Sequence, residues 1–204
     1  MATVTFESLI PEILPLVPEC TDLIIIRAIR RASEDFLTKS LVWRVDLEKH
    51  FVIAGLADVE IETPTAALRV VQLKKVSING RAILQASDGE APDGSGKTFC
   101  SLVDFNTNIR LTPVPKLTAE MSIRAVLTTT SRSTGLDSAV EQQIHEHLID
   151  GALARLFTMN GMPWADNELA MYHAAIFNAA VQETRGRAEN NSGRAVSTIS
   201  YGGL

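Results

Sequence analysis

The chain has 204 residues, 46% hydrophobic and 21% charged, the balance of a folded protein with room for one core or two small ones. Aromatic residues make up only 5%, so the core is expected to be aliphatic and alanine-rich. The formal net charge of −5 argues against a protein that grips nucleic acid by broad phosphate neutralisation, but it leaves room for a surface past which DNA slides.

Met1-Ala2-Thr3 leads straight into Glu7, without the basic and apolar stretches of a secretory leader. Phe6 to Leu16 reads as a short first helix, limited by Pro11, Pro15 and Pro18. Thr21 or Asp22 caps a longer helix running to about Leu41, with Ile25, Ile29, Ala32 and Phe36 on one stripe. Its Arg27, Arg31 and Asp35, and its Arg30 and Glu34, stand four residues apart and read as a solvated, salt-bridged face. The longest apolar run, Leu23 to Ile26, is far too short to span a bilayer, and no membrane contact is expected.

At Trp43 the period changes from 3.6 to 2. Trp43, Val45, Leu47, Phe51 and Ile53 form the apolar side of a half-buried strand that only Lys49 interrupts. Val59 and Ile61 mark a second strand and Leu68 to Ile78 a longer one. Asn79-Gly80 signals a tight hairpin into Arg81 to Leu84. A polar, glycine-rich loop follows from Gln85 to Lys97. Then come Phe99 to Phe105, Ile109 to Leu111, and a last strand with Met121, Ile123, Ala125 and Leu127 on one face. No helical pattern interrupts these strands, so an antiparallel sheet is expected. The two cysteines, Cys20 and Cys100, have no metal-ligand spacing and fit reduced thiols better than a disulfide framework.

Val140 to Arg187 reads as two helices. Ile144, Leu148, Ala152 and Leu156 form one row, and Ile149, Leu153 and Phe157 a second beside it. Gly161 and Pro163 stop the first helix, Asp166 caps the second, and Leu169, Tyr172, Ile176, Phe177 and Ala180 give it an apolar face. The predicted fold is α+β. Residues 1–42 and 138–187 form a helical bundle from the N-terminal helix and the C-terminal αα-hairpin. Residues 43–137 form an inserted antiparallel sheet or sandwich, and 188–204 an extended, flexible arm. The arm is glycine-rich, but Val196, Ile199 and Tyr201 are apolar anchors and Arg187 and Arg194 can meet acidic groups, so these five residues are the expected partner contacts.

Two stretches invite a chemical reading. Ala91 to Thr98, ending Gly96-Lys97-Thr98, fits a relaxed phosphate-binding loop, but the segment after it reads as strand where that motif needs a helix. His145-Glu146-His147 with Asp150 has histidines two apart on a helix, where a zinc pair needs four. Glu141 with His145, and His147 with Asp150, read as surface pairs. No catalytic constellation, metal site or cofactor site is expected, and an enzyme is not.

The run from Ala28 to Phe36 followed by Val42-Trp43-Arg44, with His147 to Leu156, Gly161-Met162-Pro163-Trp164 and Glu168 to Tyr172, resembles the head-to-tail adaptor (connector) proteins of tailed bacteriophages, especially short-tailed ones. Those proteins open with a helix running into a Trp-Arg pair, continue through a β-rich middle and close with a helical hairpin carrying a Pro-Trp turn. Where members commonly carry cysteine after the phenylalanine of the first helix, this chain has Leu37. The resemblance implies a structural virion protein at the head-tail junction, made in the host cytoplasm. It implies a homo-oligomeric ring, a dodecamer under the portal protein. The ring presents a platform to a downstream nozzle or tail-tube protein, and genomic DNA passes through it without specific binding. The other readings are a tail terminator or baseplate hub, and a nucleotide-binding enzyme using Gly96-Lys97-Thr98.

Overall fold

A computed structural model describes residues 3–86 and 98–193. It is an α+β fold with four α-helices and a curled sheet. The N-terminal segment runs through strand β1 (Thr3–Thr5), a 3-10 turn (Phe6–Leu9), the four-residue helix α1 (Ile10–Ile13) and a second 3-10 turn (Leu14–Leu16). The expected first helix is therefore broken into three pieces, as its prolines dictate. Helix α2 (Asp22–Ser40) ends where Leu41 turns left-handed at φ 56°. Helices α3 (Ser138–Phe157) and α4 (Asn167–Gly193) form the C-terminal pair. Gly161 at φ 81° makes the turn between them. Asp166 Oδ1 then accepts the backbone N–H groups of Glu168 and Leu169 at 2.9 and 3.0 Å, satisfying donors that the first helical turn leaves open.

Helices α2, α3 and α4 pack against one another. The α2 stripe of Ile25, Ile29, Ala32 and Phe36 is fully buried or nearly so, and so are Ile144, Leu148, Ala152, Leu153 and Leu156 of α3. Gly151 lies at the point where the three helices meet. A Cβ there would stand 2.5 Å from Cε2 of Phe177 and 2.9 Å from Cβ of Ala32, so only glycine lets the helices approach this closely. Phe36 stacks on His147 with 5.6 Å between ring centroids and meets Phe177 edge-on at 5.7 Å.

Three expectations about the helices are corrected. The buried face of α4 is Ala170, Phe177, Ala180 and Val181, whereas Leu169 and Tyr172 are exposed. The charges of α2 reach outward to other elements instead of pairing along the helix. Glu34 takes Arg69, Asp35 takes Arg155, and Arg30 Nε donates to the Ser133 carbonyl at 2.8 Å. Helix α4 also continues to Gly193, six residues past Arg187, where the arm was expected to begin. The i,i+4 pairs Glu183–Arg187 and Arg185–Glu189 extend helical side-chain support into this last stretch.

The sheet contains β2 (Arg44–Asp46), β3 (His50–Val52), β4 (Asp58–Glu60), β5 (Leu68–Ile78), β6 (Arg81–Gln85), β7 (Phe99–Val103), β8 (Asn108–Thr112) and β9 (Ala119–Thr129). Their order is β2-β9-β5-β6-β7-β8-β4, with β3 also on β9. The sheet curls until its edges meet: His50 Nε2 on β3 accepts the backbone N–H of Glu62, just beyond β4, at 3.0 Å. Bidentate Arg124–Asp46 and Arg110–Asp58 pairs join register partners near the two edges. Asn79 at φ 47° and Gly80 at φ 77° make the β5–β6 turn, as their residue types require. Not every pairing is antiparallel: β6 and β7 pair in parallel at Leu84–Phe99 and Gln85–Cys100. A two-stranded ribbon of β1 with β10 (Gly135–Asp137) was not foreseen. Gly135 permits it, since a Cβ there would lie 2.2 Å from the Val4 carbonyl oxygen.

The half-buried strand expected from Trp43 to Ile53 is two strands. Asp46 pairs with Arg124 and His50 with Met121, so the edge spends one residue more than β9 between these points. One extra residue reverses the alternation of side chains. Val52 and His50 are therefore buried, while Phe51 and Ile53 face solvent. Sheet and helices share one hydrophobic core. They join at the C-terminal end of β9, where Thr38 Oγ1 donates to Thr128 Oγ1 at 3.2 Å and Thr128 Oγ1 to the Glu34 carbonyl at 3.2 Å.

Candidate functional site

Of the residues singled out in the sequence, the histidine cluster of α3 is dispersed. His145 Nδ1 lies 2.5 Å from Glu141 Oε1, one helical turn back, and its Nε2 lies 3.0 Å from Glu12 Oε1 on α1. Both ring nitrogens face carboxylates, an arrangement that suits the imidazolium, with two N–H donors. Glu141 is buried, so this is no surface pair. The expected pairing of His147 with Asp150 is not formed. His147 turns inward to stack on Phe36, and Asp150 Oδ1 takes His173 Nδ1 of α4 at 2.8 Å. Each of these three histidines thus serves a different helix contact: His145 to α1, His147 to α2 and His173 to α3. Among the described residues no three His, Cys, Asp or Glu side chains converge as a metal site would require.

The Glu141 hydrogen bond chiefly, with the Glu12 and Glu141 charges, raises the His145 pKa above its usual 6.5, against the opposing effect of burial. A raised folded-state value means that the charged ring stabilises the fold. That contribution is complete below the unfolded value and is lost as pH rises through the folded one. Calorimetry across this interval should therefore show the wild-type thermal midpoint falling with increasing pH. His145→Gln should flatten that fall; an unchanged slope would mean that His145 is not what titrates.

The loop that invited a nucleotide reading runs from 91 to 98. Residues 91–97 lie outside the described residues, but their flanks are informative: the chain leaves β6 at Gln85 and enters β7 at Phe99. A phosphate loop must deliver its backbone N–H groups at a helix N-terminus, and a strand stands there instead. Both cysteines are free and buried, and burial pushes their thiols up, Cys100 to about 11, so neither is the low-pKa kind that reacts.

Of the five expected partner contacts, Arg194, Val196, Ile199 and Tyr201 lie outside the described residues. Arg187 is exposed on α4 and ion-pairs with Glu183. The helix end that carries it runs beside the sheet. Glu189 is held below the usual carboxylate range by its bond from Arg185, with further help from the charges of Lys74 and Arg44. The Lys74 ammonium is pushed down by burial and by Arg44. The last turns of α4 therefore lie within electrostatic reach of Lys74 on β5 and Arg44 on β2. The sequence could not reveal this proximity, because Lys74 and Glu189 are far apart along the chain.

The molecule is thus an α+β protein in which three packed helices and a curled sheet share one hydrophobic core, and in which ionic side chains join one element to another. The chain belongs to the SU10 adaptor protein family, whose profile matches residues 4–198. It is a phage head-to-tail adaptor family, and its members are structural proteins. No curated protein sequence matches the chain.

Proposed function

We propose that the protein is the ring-forming subunit of a head-to-tail adaptor at the virion's head-tail junction. Made in the host cytoplasm, it docks beneath the portal protein as a dodecamer. It offers a platform to the downstream nozzle or tail-tube protein and lines the channel through which genomic DNA passes. The observation that carries this reading is the family match over residues 4–198, which takes in the helices, the sheet and the start of the arm. The net charge of −5 suits a channel wall that DNA must pass without adhering.

In this reading Arg187, Arg194, Val196, Ile199 and Tyr201 contact the portal. Ordering an arm costs on the order of 1–2 kcal/mol per residue of backbone entropy, so one arm binds weakly. A ring of arms binds through effective concentration. Because α4 extends to Gly193, the informative truncation removes 194–204 and keeps the helix end that neighbours Lys74. The truncated chain should keep its thermal midpoint but lose stable binding to purified portal rings in a sedimentation assay. If it binds portal rings as the full chain does, the docking surface is on the helices. If the full chain binds none, the adaptor reading fails.

A further inference from the structure

At the end of the sheet farthest from the helices, strand β3 and the two loops beside it expose large apolar side chains. Phe51 is 64% exposed, Ile53 52%, Leu56 52%, Val114 48% and Leu117 78%. The loops are tied together: Gly55 N donates to the Pro115 carbonyl at 2.8 Å and Ala54 N to Thr118 Oγ1 at 3.4 Å. The exposure is built into the backbone. The extra residue between β2 and β3 is what turns Phe51 and Ile53 outward, and bulges commonly serve to re-aim a side chain. Large apolar side chains exposed together on adjoining segments in this way mark an interaction site.

Its position and its charge narrow the partner. The helices join β9 at Thr128 and Thr129, whereas β3 pairs with β9 at its other end, Val52 with Ala119. Those ends are separated by ten residue steps of extended chain, roughly 30 Å. An acidic groove of about 260 Å³ borders the patch. Two of its charges are neutralised within the tip, Asp58 by Arg110 and Lys49 by Glu120. Glu60 and Glu62 are exposed on the same groove and have no ion pair among the described residues. A second copy meeting this tip face to face would set these carboxylates against themselves.

We propose that this tip is the surface that receives the next component of the tail, and that the component meets it with an apolar projection flanked by lysine or arginine side chains. The proposal rests on the adaptor reading, and the two fail differently. Leu117 is replaced by benzoylphenylalanine in the full chain, phage particles are assembled and irradiated, and the crosslinked peptides are sequenced. The expected product joins position 117 to a virion tail protein that is not the portal. A crosslink to the portal or to a second copy overturns the proposal, as does no crosslink from particles that contain the chain. Absence of the chain from purified particles overturns the adaptor reading and the proposal with it. Phe51→Ser/Leu117→Ser and, separately, Glu60→Lys/Glu62→Lys should leave the thermal midpoint and portal binding unchanged while reducing tailed particles by at least about tenfold. Wild-type numbers of tailed particles from both variants would also overturn it.

Discussion

Gly151→Val is expected to destabilise the protein by about 3 kcal/mol, lowering the thermal midpoint by roughly 6–12 °C for a chain of this size. Two effects compete at this position. Glycine inside a helix is worse than alanine by about 1 kcal/mol, so any side chain gains helix propensity here. Against that gain stand contacts of 2.5 Å to Phe177 and 2.9 Å to Ala32 for the first carbon alone. Phe177 cannot simply swing aside. Its ring meets Phe36 edge-on, and the Arg155 guanidinium stands 5.6 Å from its centroid on the other helix. Overpacking of this kind typically costs about 1–3 kcal/mol, so Gly151→Ala should come out mildly destabilising once the helix gain is subtracted. Valine adds two more carbons to the same crowded point and loses most of the helix gain through its branched Cβ. Calorimetry of both variants tests the ordering. An alanine variant more stable than wild type would mean that the helices separate easily and that the junction is looser than its geometry indicates.

What could be read from the sequence were the local signals. The α2 stripe, the Asn79-Gly80 turn, the Gly161 stop and the Asp166 cap each depend on a few neighbouring residues, and all of them are formed. The family could be read as well, through the Trp-Arg and Pro-Trp pairs; both tryptophans prove to be buried. The failures share a cause, which is that tertiary contacts overrule local pattern. Tyr172 and Leu169 looked like the inner face of α4, yet that face is set by what Gly151 and Phe36 leave room for, and small residues such as Ala170 and Ala180 fill it. The strand from Trp43 to Ile53 alternates well as a string, but β9 imposes the extra residue that reverses it. The parallel step between β6 and β7 joins strands on either side of a glycine-rich loop, whose composition carries no information about pairing. His147 looked like half of a surface pair because the aromatic ring that holds it, Phe36, is on another helix. The expected partner contacts at 194–201 lie outside the described residues, and Arg187, the one within them, belongs to a helix that runs on to Gly193.

Phe36→Ala should destabilise the fold by about 3–5 kcal/mol, the range for truncating a fully buried phenylalanine. The ring is 0% exposed and belongs to all three long helices at once, being stacked on His147 of α3 and edge-on to Phe177 of α4. Removing it opens a cavity between elements that are joined at the same level by other contacts. Arg155 donates to Asp35 of α2 and, at 2.7 Å, to the Gly151 carbonyl of its own helix. The Arg155–Asp35 bond fixes α2 against α3 beside the missing ring, so relaxation around it should be small and the loss should fall toward the upper part of the range. Two further results are expected in the same variant. His147 loses the ring it stacks on, so its Nδ1, which has no hydrogen-bond partner among the described residues, becomes open to water. The Gly151→Ala penalty should also shrink when Phe36 is already alanine, because Phe177 then has space to move. That coupling, measured by a double-mutant cycle, is the sharper test. Additive losses would show that Phe36 and Gly151 sit in separate parts of the core, and that the three helices do not lock together through a single junction.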